Sequence, residues 1–286
     1  MTSQKTCVFR CGSREWRFPG RPLIMGVLNL TPDSFSDGGR FATPAKALQQ
    51  AHAMIAAGAD IIDLGGESTR PGAETVPSAE EIRRVLPVVR ALAGETAIPI
   101  SIDTRKAPVA AAALAAGASI VNDISGLHCD PEMIEVVRDS QAGAVLMHMR
   151  GTPQNMQQFT AYHDLTGEIR DYFLAIMERT RQAGIAGERL ILDPGIGFSK
   201  TAEQNLQIIA ELPRLADLGR PLLLGPSRKS FIGKLLDLPD PADRGSGTLG
   251  ALAVAVWQGA GILRVHEVQA AREAAIVAAA IRDSRP

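Results

Sequence analysis

Short apolar runs alternate with amphipathic stretches along the whole sequence, and eight such pairs can be distinguished. The apolar runs cover residues 23–30, 60–66, 98–104, 119–126, 144–149, 189–195, 221–225 and 261–268. The amphipathic stretches cover residues 44–57, 79–93, 106–116, 131–140, 165–183, 202–218, 248–258 and 269–282. A short apolar run followed by a helical pattern is typical of a buried parallel strand and its crossover helix.

Eight strand–helix units match a TIM barrel, which typically takes about 250 residues. An open doubly wound sheet is the alternative, but no GxGxxG motif opens the first helix. We therefore predict an α/β fold, a (β/α)8 barrel, in a single domain over residues 1–286, because no linker divides the chain. Residues 7–18 predict a β-hairpin turning near Gly12 and Ser13, and we expect residues 1–22 to cover the N-terminal mouth of the barrel.

The net charge is −1 and the isoelectric point about 6.5, so no overall field would attract nucleic acid or an anionic membrane surface. No apolar run is long enough to span a bilayer, and the charged, glycine-broken N-terminus does not read as a signal peptide. The three cysteines, Cys7, Cys11 and Cys129, do not indicate a disulfide scaffold. We therefore expect a cytoplasmic protein with reduced thiols that acts on small molecules.

Polar side chains recur near the ends of the apolar runs, where a TIM barrel carries its chemistry. Because strand residues alternate between two faces, Ile100 and Ile102 share one face of their run, and Ser101 and Asp103 share the other. Outward isoleucines would pack against helices, so we expect Asp103 to face the barrel mouth. The same reasoning places at the mouth Asn29, Asn122, Asp193 and the pair Arg264 and His266.

One aspartate at a strand end is often a helix cap or a turn former. Polar side chains at the same depth on five strands instead indicate a binding site, because burying carboxylates in an apolar barrel is costly unless they bind something. For Asp63, Glu67 and Asp123, both ligand contact and the bracing of loops stay open. Lys229, in the turn "GPSRKSFIG", is a candidate for binding a ligand, while Arg228 fits a solvated turn as well.

Seven segments of the sequence carry most of these polar residues. They are "LNLTPDSFSDGG" (28–39), "DLGGESTRPGA" (63–73), "SIDTRK" (101–106), "VNDISG" (121–126), "LDPGIGF" (192–198), "GPSRKSFIG" (225–233) and "RVHEV" (264–268). Together they resemble the dihydropteroate synthases of folate biosynthesis, in the family order and without a departure at a motif position. The resemblance implies condensation of 6-hydroxymethyl-7,8-dihydropterin pyrophosphate with p-aminobenzoate, giving 7,8-dihydropteroate and pyrophosphate, with Mg²⁺ and in a homodimer.

The resemblance also implies roles for individual residues. The pterin would be held by Asp103, Asn122, Met147, Asp193, Phe198 and Lys229, with Asp103, Asp193 and Lys229 as the catalytic residues. The pyrophosphate would be held by Asn29, Thr69, Arg264 and His266, with Asn29 also binding Mg²⁺. The p-aminobenzoate would be held by Phe35, Arg70, Pro71 and Ser230. Phe35, Arg70 and Pro71 belong to the loops 31–43 and 66–78, whose Gly, Pro, Ser and Asp content is typical of lids.

Other functions share part of this pattern. A pterin-binding methyltransferase has the same barrel and carboxylate–asparagine cradle, but it does not need "SRKS", "RVH" or "NLTPDSF". A Schiff-base aldolase would need a desolvated lysine within a strand, whereas Lys229 follows Arg228 in a turn. A non-catalytic pterin-binding paralogue would not need complete pyrophosphate motifs. Metal-dependent hydrolysis lacks a histidine pair at the end of the first strand.

Overall fold

The computed structural model describes residues 6–31 and 43–284. A hairpin of two antiparallel strands, β1 (Cys7–Cys11) and β2 (Arg14–Phe18), comes first. Within the described ranges, eight further strands pair in parallel as one sheet. They are β3 (Leu23–Asn29), β4 (Ile61–Gly65), β5 (Ile100–Asp103), β6 (Ile120–Asp123), β7 (Gly143–Met147), β8 (Leu190–Asp193), β9 (Leu223–Leu224) and β10 (Ile262–Val265).

Amphipathic helices follow the strands and cover the outside of the sheet. In the same described ranges they are α1 (Pro44–Ala56), α2 (Ser78–Glu95), α3 (Ala107–Ala115), α4 (Met133–Ser140), α5 (Leu165–Gln182), α6 (Ala202–Ala210), α7 (Pro213–Ala216), α8 (Ser230–Leu236), α9 (Gly245–Trp257) and α10 (Val268–Asp283). Gly58 and Gly117, two residues beyond α1 and α3, have φ angles of +94° and +113°. Glycine reaches this left-handed region without steric cost, so the chain can turn back toward the sheet.

The strands neighbour one another in the order β8-β7-β6-β5-β4-β3-β10-β9, and the two edges then meet. Leu192 of β8 forms a parallel bridge with Leu222, just before β9, and its N–H donates to the Pro221 carbonyl at 3.0 Å. The sheet therefore closes nearly into a barrel with helices around it. The predicted (β/α)8 fold with an N-terminal hairpin is confirmed.

The single helix predicted over residues 202–218 is wrong, because α6 and α7 replace it. Pro213 has no backbone N–H to donate to the preceding turn, so α6 ends before it. Proline is favoured instead in the first turn of a helix, and α7 begins at Pro213. The chain bends at this point and leads to the short strand β9.

The hairpin packs against the beginnings of the barrel strands. Phe9 is fully buried and stacks on Trp16, with 5.6 Å between the ring centroids. A Cβ on Gly143, at the start of β7, would lie 2.6 Å from the Phe9 ring, and one on Gly261, before β10, would lie 2.7 Å from Phe18. These contacts share one buried cluster with Leu23, Met25, Ile61, Ile120, Val145, Ile191, Leu223 and Ile262. The N-terminal end of the barrel is thus filled by apolar side chains, which leaves the other end for polar chemistry.

Candidate active site

One register row crosses four neighbouring strands at the C-terminal end of the barrel. Asn29 of β3 pairs with Gly65 of β4, Gly65 with Asp103 of β5, and Asp103 with Asn122 of β6. Gly65 leaves a gap in this row, since a Cβ there would lie 3.7 Å from the Asn29 Oδ1 and 3.5 Å from the Asp103 Cβ. Three predicted site residues therefore stand side by side, and their polar groups surround the space above Gly65.

Arg264 of β10 connects this row to Asp63, which lies two residues before Gly65 on β4. Its Nε donates to the Asp63 Oδ2 at 2.7 Å, and its Nη2 donates to the Asp103 Oδ2 at 2.6 Å. The Asn122 Nδ2 donates to the same Asp63 oxygen at 3.1 Å. Asp63, which the sequence left undecided, thus belongs to the centre of the polar cluster and is fully buried.

The carboxylates of this cluster keep unused acceptor capacity. The Oδ1 atoms of Asp63 and Asp103 are buried, and neither has a hydrogen-bond partner among the described residues. Burial raises the pKa of Asp103, although the charge of Arg264 opposes the shift. Burial lowers the pKa of Arg264, but the carboxylates of Asp63 and Asp103 raise it by a larger amount. The net shift is therefore upward. A ligand edge that carries N–H groups could therefore bind to acceptor oxygens that are already in place.

Asp193 and Lys229 stand at the end of β8 and in the turn after β9. The Asp193 Oδ1 accepts from the Gly195 N–H at 2.7 Å, and burial raises the pKa of Asp193. The Lys229 Nζ donates to the Ile196 carbonyl and lies 4.2 Å from the centroid of the Phe198 ring. Burial lowers the pKa of Lys229 to about 8, with Asp193 opposing the shift. The Lys229 ammonium thus lies near the Asp193 carboxylate and over the face of the Phe198 ring.

A buried lysine and histidine, which the sequence reasoning missed, connect two of the predicted pterin contacts. The Lys200 Nζ lies 3.1 Å from the His148 Nδ1 and donates to the Phe198 carbonyl at 2.9 Å. The His148 N–H donates to the Asp193 carbonyl at 2.9 Å, and His148 directly follows the buried Met147. Burial lowers the pKa of Lys200 to about 7 and that of His148 to about 2. The only signal in the sequence was Lys200 itself, two residues beyond the motif that ends at Phe198.

His266 lies at the end of β10, two residues beyond Arg264, and its Nδ1 is 3.0 Å from the Ser227 Oγ. Burial and, to a smaller extent, nearby cations together lower the pKa of His266 to about 4. These cations are Arg264, Arg228, Arg70 and Lys229. Several positive groups therefore surround a neutral imidazole, an arrangement suited to a polyanionic ligand.

The loop that carries Thr69, Arg70 and Pro71 is held in place by hydrogen bonds and ion pairs of the buried Glu67 side chain. The Glu67 carboxylate accepts from the Lys106 Nζ at 2.6 Å, from the Arg105 Nε at 3.2 Å and from the Val76 N–H at 2.7 Å. The Lys106 Nζ also donates to the Glu81 Oε2 at 2.5 Å. Glu67 therefore braces the loop, while Arg70 and Pro71 remain exposed above it.

Asp123 and Arg228, the other undecided residues, have local partners. The Asp123 carboxylate accepts from the N–H groups of Ser125 and Leu127 at 2.7 and 3.0 Å, so it shapes the loop after β6. Arg228 pairs with Glu267 at 2.5 Å and has a φ angle of +58°. It is thus part of a structured turn rather than a freely solvated one. Ser230 begins α8 and is exposed.

Comparison with known proteins assigns the chain to one family. A family model described as pterin binding enzyme matches residues 25–266. A dihydropteroate synthase from Synechocystis is 54% identical over 261 residues, which cover 91% of this chain and 90% of the relative. This chain belongs to the pterin-binding enzyme family.

Solved structures of pterin-binding enzymes share the same architecture. A Yersinia pestis dihydropteroate synthase in complex with a sulfonamide drug has a TM-score of 0.92 and 44% identity, covering 97% of this chain and all of the other. A Xanthomonas albilineans dihydropteroate synthase with 4-aminobenzoic acid has a TM-score of 0.90 and 41% identity, covering 99% and 100%. Both likenesses extend over nearly the full length of the chain.

The residues predicted to contact the pterin and the diphosphate all lie at the C-terminal ends of barrel strands or in the loops that follow them. Asp103, Asn122, Met147, Asp193, Phe198 and Lys229 lie at or just after the ends of β5, β6, β7, β8 and β9. Asn29, Arg264 and His266 lie at the ends of β3 and β10, and Thr69 lies in the loop after β4. Phe35 lies outside the described residues, as do most of the predicted loop 31–43. The roles given to these residues remain predictions, which their positions at one mouth make testable.

Proposed function

We propose that this protein is a dihydropteroate synthase, which joins 6-hydroxymethyl-7,8-dihydropterin pyrophosphate to p-aminobenzoate and releases pyrophosphate. The observation that carries the proposal is the barrel mouth, where buried carboxylates with free acceptor oxygens adjoin Arg264, His266 and Lys229. One side of this mouth suits a ring edge with N–H donors, and the other suits a diphosphate. The dihydropteroate synthases that share the fold support the same activity.

In this proposal the pterin lies between the ends of β5 and β8. The ring presents N3–H and its 2-amino group as donors along one edge, which a carboxylate such as Asp193 can accept as a pair. Asp103 and Asn122 would contact the ring from the neighbouring strands, and the Lys229 ammonium would donate to its acceptor atoms. The side chains of Met147 and Phe198 would form the walls of the cradle.

The diphosphate would be bound by Asn29, Thr69, Arg264 and His266. The described residues contain no group of three His, Cys, Asp or Glu side chains placed to hold a metal ion. Mg²⁺ nevertheless fits this site, because it commonly takes one or two protein oxygens and completes its shell with phosphate oxygens and water. The Asn29 amide oxygen beside Asp103 would supply the protein ligand. When bound, Mg²⁺ supplies neutralisation of charge on the departing diphosphate.

The reaction needs no protein nucleophile. The bond between the pterin methylene carbon and the diphosphate oxygen breaks, and its electron pair leaves with the diphosphate. The electron-rich dihydropterin delocalises the positive charge, which the carboxylates of Asp103 and Asp193 favour. The Arg264 guanidinium and His266 stabilise the departing anion. The arylamine lone pair then forms the new C–N bond, and the amine loses a proton to solvent or to pyrophosphate.

The p-aminobenzoate would bind on the outer side of the mouth, next to Arg70, Pro71 and Ser230, with Phe35 contributed by the other loop. All three described residues are exposed, as expected for groups that receive a second substrate from solvent. The cationic Arg70 can pair with the benzoate carboxylate. Sulfonamides, which resemble p-aminobenzoate, would occupy the same position.

An assay with both substrates tests the proposal. The purified protein is incubated with the dihydropterin pyrophosphate, p-aminobenzoate and Mg²⁺, and dihydropteroate and pyrophosphate are quantified. We expect both products in equal amounts, and neither when p-aminobenzoate is omitted. Binding of the dihydropterin pyrophosphate without turnover would instead identify a non-catalytic pterin-binding protein, and methyl transfer would identify a methyltransferase.

We also propose that the protein acts as a homodimer in the cytoplasm. No helix in residues 6–31 and 43–284 combines the length and apolarity needed to cross a membrane.

The outer faces of α9 and α10 expose a shared apolar surface that includes Val254, Trp257, Val277 and Ile281, at 38–59% exposure. An apolar patch of this kind is typical of an interface, and a second copy of the chain is the simplest self-complementary partner. The single-domain organisation is likewise part of this proposal.

A further inference from the structure

Ser227, in the turn after β9, makes a paired contact with His266. Its Oγ lies 3.0 Å from the imidazole Nδ1 and accepts from the His266 backbone N–H at 3.3 Å. Ser227 is 8% exposed, and within the described chain its hydroxyl has its hydrogen-bond partners on this one residue. The Ser227 hydroxyl can therefore influence both the orientation of the His266 imidazole and which of its nitrogens carries the proton.

The hydrogen-bond inventory of the two groups determines the direction of the Ser227–His266 contact. A serine hydroxyl has one hydrogen to donate and two lone pairs. The backbone N–H of His266 already donates to the oxygen, so the hydroxyl hydrogen needs an acceptor of its own. The Nδ1 lone pair is the acceptor within reach, and a buried hydroxyl hydrogen without a partner would be unfavourable.

We propose that Ser227 holds neutral His266 in the Nε2–H tautomer, so that Nε2 donates a hydrogen bond to the departing diphosphate. Ser227 is then a positioning residue that acts through His266, and this assignment rests on the function proposed above. With the opposite tautomer, Nε2 would present a lone pair to phosphate oxygens and repel them.

The charges around His266 make the tautomer decisive. The positive groups that face it are Arg264 on its own strand, Arg70 on the loop after β4, and Arg228 and Lys229 in the turn after β9. Together with burial they disfavour a further positive charge, so the ring is neutral near pH 7. A neutral imidazole has one N–H donor, so which nitrogen carries the proton decides what the ring can offer an anion.

The turn that carries Ser227 is held in place from several sides. The Arg228 N–H donates to the Thr248 Oγ1 at 3.0 Å, and the Arg228 carbonyl accepts from the Arg244 Nη1 at 3.0 Å. The Arg228 side chain pairs with Glu267, which directly follows His266. Ser227 and Arg228 of the turn thus contact His266 and Glu267 at the end of β10. These contacts hold the Ser227 hydroxyl in a fixed position next to the His266 ring.

Nitrogen NMR of the imidazole rings tests the proposal without reference to activity. The protein contains two internal references with opposite expected tautomers. The His128 Nδ1 lies 3.1 Å from the Ser125 carbonyl, which only accepts, so Nδ1 must carry the proton. The His148 Nδ1 lies 3.1 Å from the Lys200 Nζ. In spectra recorded below pH 7, the pKa of about 7 keeps Lys200 an ammonium that only donates, so the His148 proton must be on Nε2. We expect His266 to give the pattern of His148, with its signals identified by their loss in His266→Gln.

Three serine variants complete the test. Ser227→Ala should mix the two tautomers of His266, Ser227→Thr should restore the Nε2–H form, and the distant Ser140→Ala should change nothing. Ser227→Ala should also lower kcat/KM for the dihydropterin pyrophosphate about three- to tenfold, the usual effect of one neutral hydrogen bond, and leave the KM for p-aminobenzoate unchanged.

The outcomes separate this proposal from the function proposed above. A His128-like pattern for His266 in the wild-type protein would overturn it, even if Ser227→Ala failed to fold. An unchanged kcat/KM in a Ser227→Ala protein with mixed tautomers would overturn the catalytic part. Absence of dihydropteroate with the wild-type protein would refute the proposed function, while the tautomer would still be decided by the spectrum.

Discussion

Asp193 occupies the end of β8, where the Gly195 N–H holds its Oδ1 at 2.7 Å. We predict that Asp193→Asn keeps the fold, because an amide oxygen can accept the same hydrogen bond. The NH₂ group would replace an acceptor that the pterin edge needs, and the negative charge that favours the methylene cation would be lost. We expect kcat/KM for the dihydropterin pyrophosphate to fall about 10²-fold or more.

Calorimetric titration with a pterin analogue provides the matching measurement for Asp193→Asn. The control is Asp139→Asn on α4, where an exposed carboxylate pairs with Arg138 at 2.6 Å. We expect this control to retain wild-type affinity and turnover. If Asp193→Asn bound the pterin analogue as tightly as the wild-type protein, Asp193 would not belong to the cradle.

Lys229 should impose an upper pH limit on activity. Burial lowers the pKa of Lys229 to about 8, so the ammonium is present below this pH and is lost as the pH rises through it. We therefore expect kcat/KM for the dihydropterin pyrophosphate to decline above about pH 8. In Lys229→Arg the guanidinium stays charged, so the decline should disappear even where overall activity is reduced. A decline that persists unchanged in Lys229→Arg would point to another group, such as Lys200.

At the scale of elements, the loop after β4 depends on a buried ionic cluster rather than on apolar packing. Lys106 precedes α3 and connects Glu67 of the loop with Glu81 of α2, whose side chains are only 8% and 1% exposed. The arrangement connects the loop that carries Thr69, Arg70 and Pro71 to two helices. The position of the proposed p-aminobenzoate contacts is therefore determined by residues that do not touch the substrate.

We predict that Lys106→Met lowers the free energy of unfolding by about 3–5 kcal/mol, because two buried carboxylates lose their shared cation. Urea denaturation measures this change. The control is Arg83→Ala, which removes an exposed pair with Glu80 and should leave the free energy of unfolding close to that of the wild-type protein. Where Lys106→Met remains folded, the KM for p-aminobenzoate should rise more than that for the dihydropterin pyrophosphate. Equal changes in both KM values would contradict the anchoring role of the cluster.

At the scale of the whole molecule, the two ends of the barrel and its outer surface have different roles. The hairpin and apolar side chains fill one end, polar side chains line the other, and α9 and α10 expose an apolar face on the outside. We predict that Val277→Glu places a charge in this outer face and shifts the protein from dimer to monomer. Sedimentation velocity measures the change, and Leu174→Glu on α5, at a similarly exposed apolar position, is the control. A wild-type protein that sediments as a monomer would refute the homodimer.

The sequence by itself determined the fold class and predicted which polar residues lie at one end of the barrel. The periods of strand and helix are local properties, readable from a few residues, and eight repeats of the pair allow few architectures. Strand parity likewise predicted that Asp103, Asn122 and Asp193 would stand at one mouth. These are short-range consequences of side-chain alternation, so they did not require knowledge of which strands are neighbours.

Only the tertiary structure decided which polar groups are partners. Asp63 binds Arg264, which lies 201 residues away, because β4 and β10 flank β3 in the closed sheet. Lys200 reaches His148 across 52 residues, and Glu67 turns toward Lys106 rather than toward the mouth. Buried polar groups are stabilised by whichever partners packing brings within hydrogen-bond distance, and that depends on strand order and loop path. No local pattern encodes these pairings, since each joins segments that are far apart in the chain.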